Sequence, residues 1–286
     1  MTNETKMAPS SRLSRAIAGQ AAGKSHTVTS RAVGFVRDHD QAILSLVSVV
    51  TFLLVWELLP RSGLVKPLFT SSPSRIATAA VALAQDGLWH DIVVTVTEFA
   101  LGFGLAVLIG IPFGILLGWN RTFRAVFEPF VTTLYAVPRI ALMPLIILWL
   151  GIGIQSKVAV VFLGAIFPII VSVHAGMRTL DEALVRCARS FGANDRQVLR
   201  TVALPSSVPF MIAGVRLGVG RGLVGVIVAE FVAAQAGIGH MMNRAGATFQ
   251  TDKVFVGVIL LAMFGLILTG LLKWLESRFD AWRPGR

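Results

Sequence analysis

The sequence predicts an all-α integral membrane protein with about six transmembrane helices. Three observations carry that prediction. Of the 286 residues, 55% are hydrophobic and only 14% are charged. The apolar residues gather into runs near the length that crosses a bilayer, about 20 residues. A single polar, arginine-rich hairpin interrupts these runs, at residues 178–205. A soluble core of this size carries more charge and shorter apolar runs.

Residues 1–40 are polar, rich in Ser and Thr, and contain Lys6, Arg12, Arg15, Lys24, Arg31 and Arg37. No apolar stretch follows the first basic residues, so a cleavable signal peptide is not expected. The segment reads as a mostly disordered, basic, cytoplasmic tail. A transmembrane domain is expected over 41–280, with a short cytoplasmic end at 281–286. Its spans are placed near 42–59, 91–118, 126–150, 156–177, 206–233 and 254–274. Pro60, Pro67 and Pro73 punctuate the connection over 60–90 against one continuous helix. Pro138 and Pro144 break the third span. In a membrane, backbone groups freed in this way persist where protein or a cavity satisfies them.

The hairpin runs from Arg178 to Pro205 and holds Arg178, Arg186, Arg189, Arg196 and Arg200. A helix-like first half ends at Gly192. A shorter second half follows, and Leu204-Pro205 reads as a stop before the fifth span. With the N-terminus in the cytoplasm, the inner segments hold the tail cations, Arg121, Arg124, the hairpin arginines, Lys273, Arg278, Arg283 and Arg286. The outer ones hold only Arg61, Lys66, Arg75, Lys157, Arg244 and Lys253. The excess of cations on one side predicts both termini, and the hairpin, in the cytoplasm.

The net charge of +11 is accounted for by these orienting loops. No basic stripe is interleaved with aromatics, which excludes nucleic acid as a partner. Cys187 is the single cysteine, so no internal disulfide is possible. His26, His39, His90, His174 and His240 lack zinc-ligand spacing, and no metal is assigned. Gly220-Arg-Gly222-Leu-Val-Gly225 matches a dinucleotide fingerprint but lies inside an apolar helical run. Gly19 to Ser25 resembles a phosphate loop but has one residue too few between its glycines. No nucleophile elbow or zinc-protease pattern occurs. No catalytic residue and no ATP site are therefore expected in this chain.

Charge inside a span is costly and faces protein or water. Arg139 follows Pro138, Arg216 and Arg221 lie in the fifth span, Glu230 lies towards its end, and Glu98 lies early in the second. Arg216 and Glu230 are 14 residues apart and share a helix face, completed by Gly220, Leu223 and Ile227; Arg221 points elsewhere. Glu98 could pair with one of these arginines. Arg139, Arg216, Glu230 and Glu98 are thus candidates for a translocation path, with structural ion pairing as the plainer alternative. Gly102, Ala106, Gly110, Gly114 and Gly118 recur at four-residue spacing, as do Gly214, Gly218 and Gly222. Such rows allow close helix packing in lipid. A pore or dimer seam is the sharper alternative.

The hairpin's spacing resembles the motif of membrane subunits of ATP-binding-cassette importers: EAA, three residues, Gly, nine residues, Ile, one residue, Leu-Pro. Arg186-Cys187-Ala188 occupies the EAA positions, followed by Gly192, Val202 and Leu204-Pro205. Arg186 stands where the motif has an acid, and Glu182-Ala183 is out of register. Ala136-Val-Pro138-Arg139-Ile-Ala141-Leu-Met-Pro144-Leu, Trp149-Leu-Gly151-Ile-Gly153, Ser156-Lys157, Gly214-Val-Arg216, Ala229-Glu230 and Gly237-Ile-Gly239 look like the nitrate/sulfonate/taurine branch. Arg221-Gly222 departs from a tryptophan common in that branch, and Glu98 from an arginine.

The resemblance covers roughly residues 50–280. It implies a type I importer permease fold in a bacterial inner membrane. It also implies two permease subunits, as a homodimer, two cytoplasmic ATPases that bind the ATP, and an extracytoplasmic solute-binding protein. By the same resemblance, Arg186, Cys187, Ala188, Arg189, Gly192, Val202, Leu204 and Pro205 couple the chain to the ATPase. The solute would be a sulfonate-, nitrate- or taurine-like anion or a related organic compound. A self-sufficient secondary transporter or channel is the alternative, but no inverted repeat is visible and the hairpin would be unexplained. An intramembrane enzyme would need a nucleophile and base that are not found.

Overall fold

The computed structural model describes residues 43–63, 65 and 69–279. The tail expected over 1–40 and the end expected over 281–286 lie outside these residues. The chain divides after Val65 into two units. The described part of the first is helix α1 (Ile43–Arg61). Its apolar side chains, including Leu44, Leu46, Phe52 and Leu58, are exposed. Such a helix satisfies its own backbone and leaves its apolar surface for lipid. Arg61 pairs with Glu57 one turn back, at 2.5 Å.

All the regular secondary structure among the second unit's described residues is helical. It comprises α2 (Pro73–Gln85), α3 (Leu88–Trp119), α4 (Arg121–Ala136), a 3-10 turn (Arg139–Leu142), α5 (Met143–Leu150) and α6 (Ile154–Arg178). There follow α7 (Glu182–Ser190), α8 (Asp195–Val198), a π turn (Leu199–Ala203), α9 (Leu204–Ala233), α10 (Ile238–Ala247) and α11 (Thr251–Phe279). Among the described residues five helices are long and apolar enough to cross a membrane, six if the bent pair Arg121–Ala136 and Arg139–Leu150 is counted as one span.

Helix α6 forms the centre. Its apolar window is 56% buried, against 28% for α3 and 11% for α11. The glycine rows explain why. A Cβ at Gly102 would stand 2.6 Å from the Val158 carbonyl, and one at Gly114 would stand 2.7 Å from Val173 Cβ. Helix α3 therefore lies parallel to α6 along its small-residue row. On the other flank α9 runs antiparallel, with Gly214 against Ser172 and Ile169, and Gly218 against Ile169 and Ala165. The rows are a packing device within one chain, where close backbone approach replaces the hydrophobic drive that lipid removes. Phe113, Phe123 and Phe127 fasten α4 to α3, with centroids 4.4–5.5 Å apart.

The third span breaks at Pro138 as expected, and two other boundaries differ from expectation. The third span is two helices bent by 88°. Val137 and Pro138 are extended there (φ −67°, ψ 129° and φ −67°, ψ 100°), as a residue before proline prefers. The connection over 60–90 contains α2, because Pro73 starts a helix that needs no N–H at that position. Leu204-Pro205 is not a stop. Asp195–Ala233 runs as one 39-residue helix. The widened π turn just before Leu204 accommodates the proline's ring and missing donor.

Candidate functional site

Helix α7 and the hairpin's tip stand clear of the bundle, while Leu180, Leu199 and Ala203 anchor the hairpin's two ends to its core. Asp181 caps α7, accepting from the Ala183 N–H at 2.8 Å. Asn194 and Gln197 cap α8 reciprocally, at 2.8 and 2.9 Å. Gly192 turns the chain between them with φ +81°, a conformation that costs glycine little. No residue of α7 is buried. Arg186, Cys187, Arg189 and Gly192 are exposed, Ala188 is half-buried, and Phe191 at the tip is 89% exposed. Arg186 pairs with Glu182 at 3.2 Å and Arg189 with Asp195 at 3.0 Å, both in the open. The cationic face is thus held in place and remains available. Val202 lies in the π turn, and Leu204 and Pro205 continue it, half-buried, into α9.

The structure does not bring the four charged candidates together. Glu98 pairs with Lys157 rather than with an arginine, at 2.8 Å. Both are buried, at 1% and 6% exposure. Lys157, expected in an outer loop, sits in the first turn of α6, beside the point where Gly102 lets α3 approach.

Glu230 is fully buried and does not meet Arg216. It closes the N-terminus of α10, where backbone N–H groups lack partners within the helix. Its Oε2 accepts from the Gly239 N–H at 2.5 Å, and its Oε1 accepts from the Thr95 hydroxyl at 2.6 Å. Thr95 in turn accepts from the Ile238 N–H at 2.8 Å, and Asp91 accepts from the Gly237 N–H at 2.8 Å. Gly237 has φ +117°, and a Cβ there would fall on the Glu230 carboxylate. Glu98 and Glu230 are electrostatic neighbours, so α3, α6, α9 and α10 share one buried polar knot. Arg216, over a third exposed, pairs instead with Glu276 of α11.

As its helical position predicts, Arg221 points away from Arg216 and Glu230, and it meets Arg139. Both line a cavity of about 400 Å³ between the Val137–Ile140 bend, α6 and α9. The Arg139 Nη2 donates to the Tyr135 carbonyl at 2.9 Å. Its guanidinium lies over the rings of Tyr135 and Phe167, at 5.2 and 5.4 Å. Its Nε is buried without a hydrogen-bond partner. Arg221 is exposed on the α9 flank and close enough to repel it.

Lys157, Thr95, Asp91, Arg221 and Glu276 were not among the predicted site residues. A helical row pointed to two of them. Asp91, Thr95 and Glu98 extend the row of Gly102, Ala106 and Gly110 backwards at three- and four-residue steps, so they share its buried face. Arg221 carried a signal of another kind, as a charge inside an apolar span, whereas Lys157 and Glu276 had no such local signal.

The family model described as binding-protein-dependent transport system inner membrane component matches residues 110–281. A taurine transport system permease protein of Escherichia coli (strain K12) is 32% identical over 248 residues, 85% of this chain and 90% of its own. A putative aliphatic sulfonates transport permease protein of Bacillus subtilis (strain 168) is 31% identical over 230 residues, 80% of this chain and 83% of its own. Among solved structures, an inward-facing MetNI methionine ABC transporter chain superposes with a TM-score of 0.54 at 22% identity, over 69% of this chain and 96% of its own. An amino acid ABC transporter chain does so with a TM-score of 0.59 at 15% identity, over 70% and 97%.

Proposed function

The chain belongs to the family of inner membrane components of binding-protein-dependent transport systems, and on that premise we propose how it works. It is a multi-pass permease subunit of the ABC importer class, with the fold of that class. Two copies form the membrane path, an extracytoplasmic binding protein delivers the solute, and separate cytoplasmic ATPases bind and hydrolyse the ATP. The solute is a small anion of the sulfonate kind, a reading supported by the names of the taurine and aliphatic sulfonate relatives.

The single observation that carries the coupling role is the exposed first half of the hairpin, α7 and its tip, on an anchored second half. A polar helix with no buried residue and a bare phenylalanine at its tip has no structural use within the chain. Arg186, Cys187, Ala188 and Arg189 form the face that seats on the ATPase, with Gly192 setting the turn. Val202, Leu204 and Pro205 lie in unbroken helix from Asp195 to Ala233. A push on the hairpin therefore moves α9 as a rod rather than being lost in a loop. Both termini and the hairpin face the cytoplasm.

The test is co-purification from native membrane. A stoichiometric ATPase is expected with the wild-type chain. It is expected to be lost with Gly192→Val, which places a β-branched residue at φ +81°. A folded, monodisperse sample without an ATPase would overturn the reading in favour of a self-sufficient transporter.

A further inference from the structure

The geometry points to the cavity of Arg139 and Arg221 as a binding site on the transport route for an organic oxyanion whose carbon body carries no positive charge. This assignment rests on the transport function proposed above. Arg139 and Arg221 differ from Lys157 and Arg216, two other cations within the helices of the bundle. Lys157 is matched by Glu98 and Arg216 by Glu276. Neither Arg139 nor Arg221 makes an ion pair among the described residues, and no acidic residue lines their cavity. Two guanidiniums beside one another without a counter-charge are unfavourable in a bilayer unless something neutralises them.

Arg139 is also held as a ligand-binding arginine is held. Its guanidinium is held in place by the Tyr135 carbonyl and two aromatic faces, which leaves its remaining donors for a ligand. Its Nε hydrogen is buried and unpaired. A guanidinium offers several donors in a planar fork that fits oxyanion oxygens. The cavity, about 400 Å³, is of the size that takes small organic ligands. Its remaining walls are largely apolar: Val137, Pro138, Ile140, Val160 and Val224. A carbon body would rest there, whereas an ammonium would meet two cations and no carboxylate. The site therefore favours a plain alkyl oxyanion over its amino-substituted counterpart.

Ethanesulfonate and taurine test this directly, because they differ by a single ammonium group. The full complex, co-purified with its ATPase and held in lipid nanodiscs, is titrated with each while ligand signals are followed by saturation-transfer NMR. Ethanesulfonate is expected to bind about tenfold or more tightly than taurine, the scale of one unpaired charge at short range in a partly desolvated site. Arg139→Gln and Arg221→Gln are each expected to weaken ethanesulfonate binding by about tenfold. Arg244→Gln, in a different cavity, is expected to leave it unchanged. Taurine binding as tightly as ethanesulfonate would overturn the assignment without any variant. Undiminished ethanesulfonate binding in the folded Arg139→Gln/Arg221→Gln double variant would do the same. A missing ATPase undoes the proposed function, whereas a bound ATPase with no ethanesulfonate signal undoes this site alone.

Discussion

The Lys157–Glu98 pair shows how little freedom a buried charge has. Both groups are nearly inaccessible, and the second carboxylate oxygen of Glu98 has no hydrogen-bond partner. Removing one partner leaves the other charged and desolvated, a change that costs about 3–5 kcal/mol, while replacing both by apolar groups is often near neutral. Lys157→Met should therefore lower the thermal unfolding midpoint of the detergent-purified protein markedly. The Lys157→Met/Glu98→Met double variant should recover most of the loss. Additive losses in the double variant would show that the two charges do not depend on one another. Gly237 is constrained by the same knot. Gly237→Ala combines an unfavourable positive φ with a displaced Glu230 carboxylate, at a cost of about 1–3 kcal/mol from the backbone alone. Faster hydrogen exchange at the Ile238 and Gly239 amides would report the loosened helix start. Unchanged protection would count against Glu230 as the cap of α10.

At the scale of elements, the glycine rows set the distances between helices. Gly102 faces a backbone carbonyl of α6 that cannot rotate away, whereas Gly104, two residues on, faces open space. Gly102→Val should destabilise the bundle by about 1–3 kcal/mol through overpacking. Gly104→Ala should be neutral or slightly stabilising, since alanine is the better helix former. Thermal melts of the two variants side by side distinguish a packing row from a merely permissive one. Equal melting behaviour would mean that α3 and α6 can part without loss. The row also fixes where Lys157 lies. Because Gly102 sits on Val158 and Val161, Glu98 one turn back on α3 falls beside the first turn of α6.

At the scale of the whole molecule, orientation and coupling are one question. Cys187 is the sole cysteine and is exposed on α7. A membrane-impermeant thiol reagent should label it in inverted vesicles and leave it unlabelled in intact cells. Labelling from outside would reverse the topology and remove the hairpin from any cytoplasmic ATPase. The distribution of charge fits the proposed arrangement. Arg139 and Arg221 line one cavity in the bundle without an ion-pair partner among the described residues, and the hairpin carries Arg186 and Arg189 in shallow, solvent-exposed pairs that a partner can replace.

Much of this architecture is local and was legible in the sequence. Apolar run length marks the spans, proline marks the bend at Val137–Pro138, and Gly192 marks the turn of the hairpin. Each of these needs only a residue and its near neighbours. The sequence alone also determined the family, through the spacing from Arg186 to Pro205 and the segments around Pro138 and Gly237. Only the tertiary structure decided which charges meet. Helical periodicity places Arg216 and Glu230 on one face of α9, but it says nothing of what stands opposite each. Sixty residues separate Arg216 from Glu276, and Arg139 reaches Arg221 only because the chain bends by 88° at the third span. The period of a helix fixes its own faces. The rotation and register of its neighbours are set by how closely small residues let the backbones approach, and that is a property of the packed bundle.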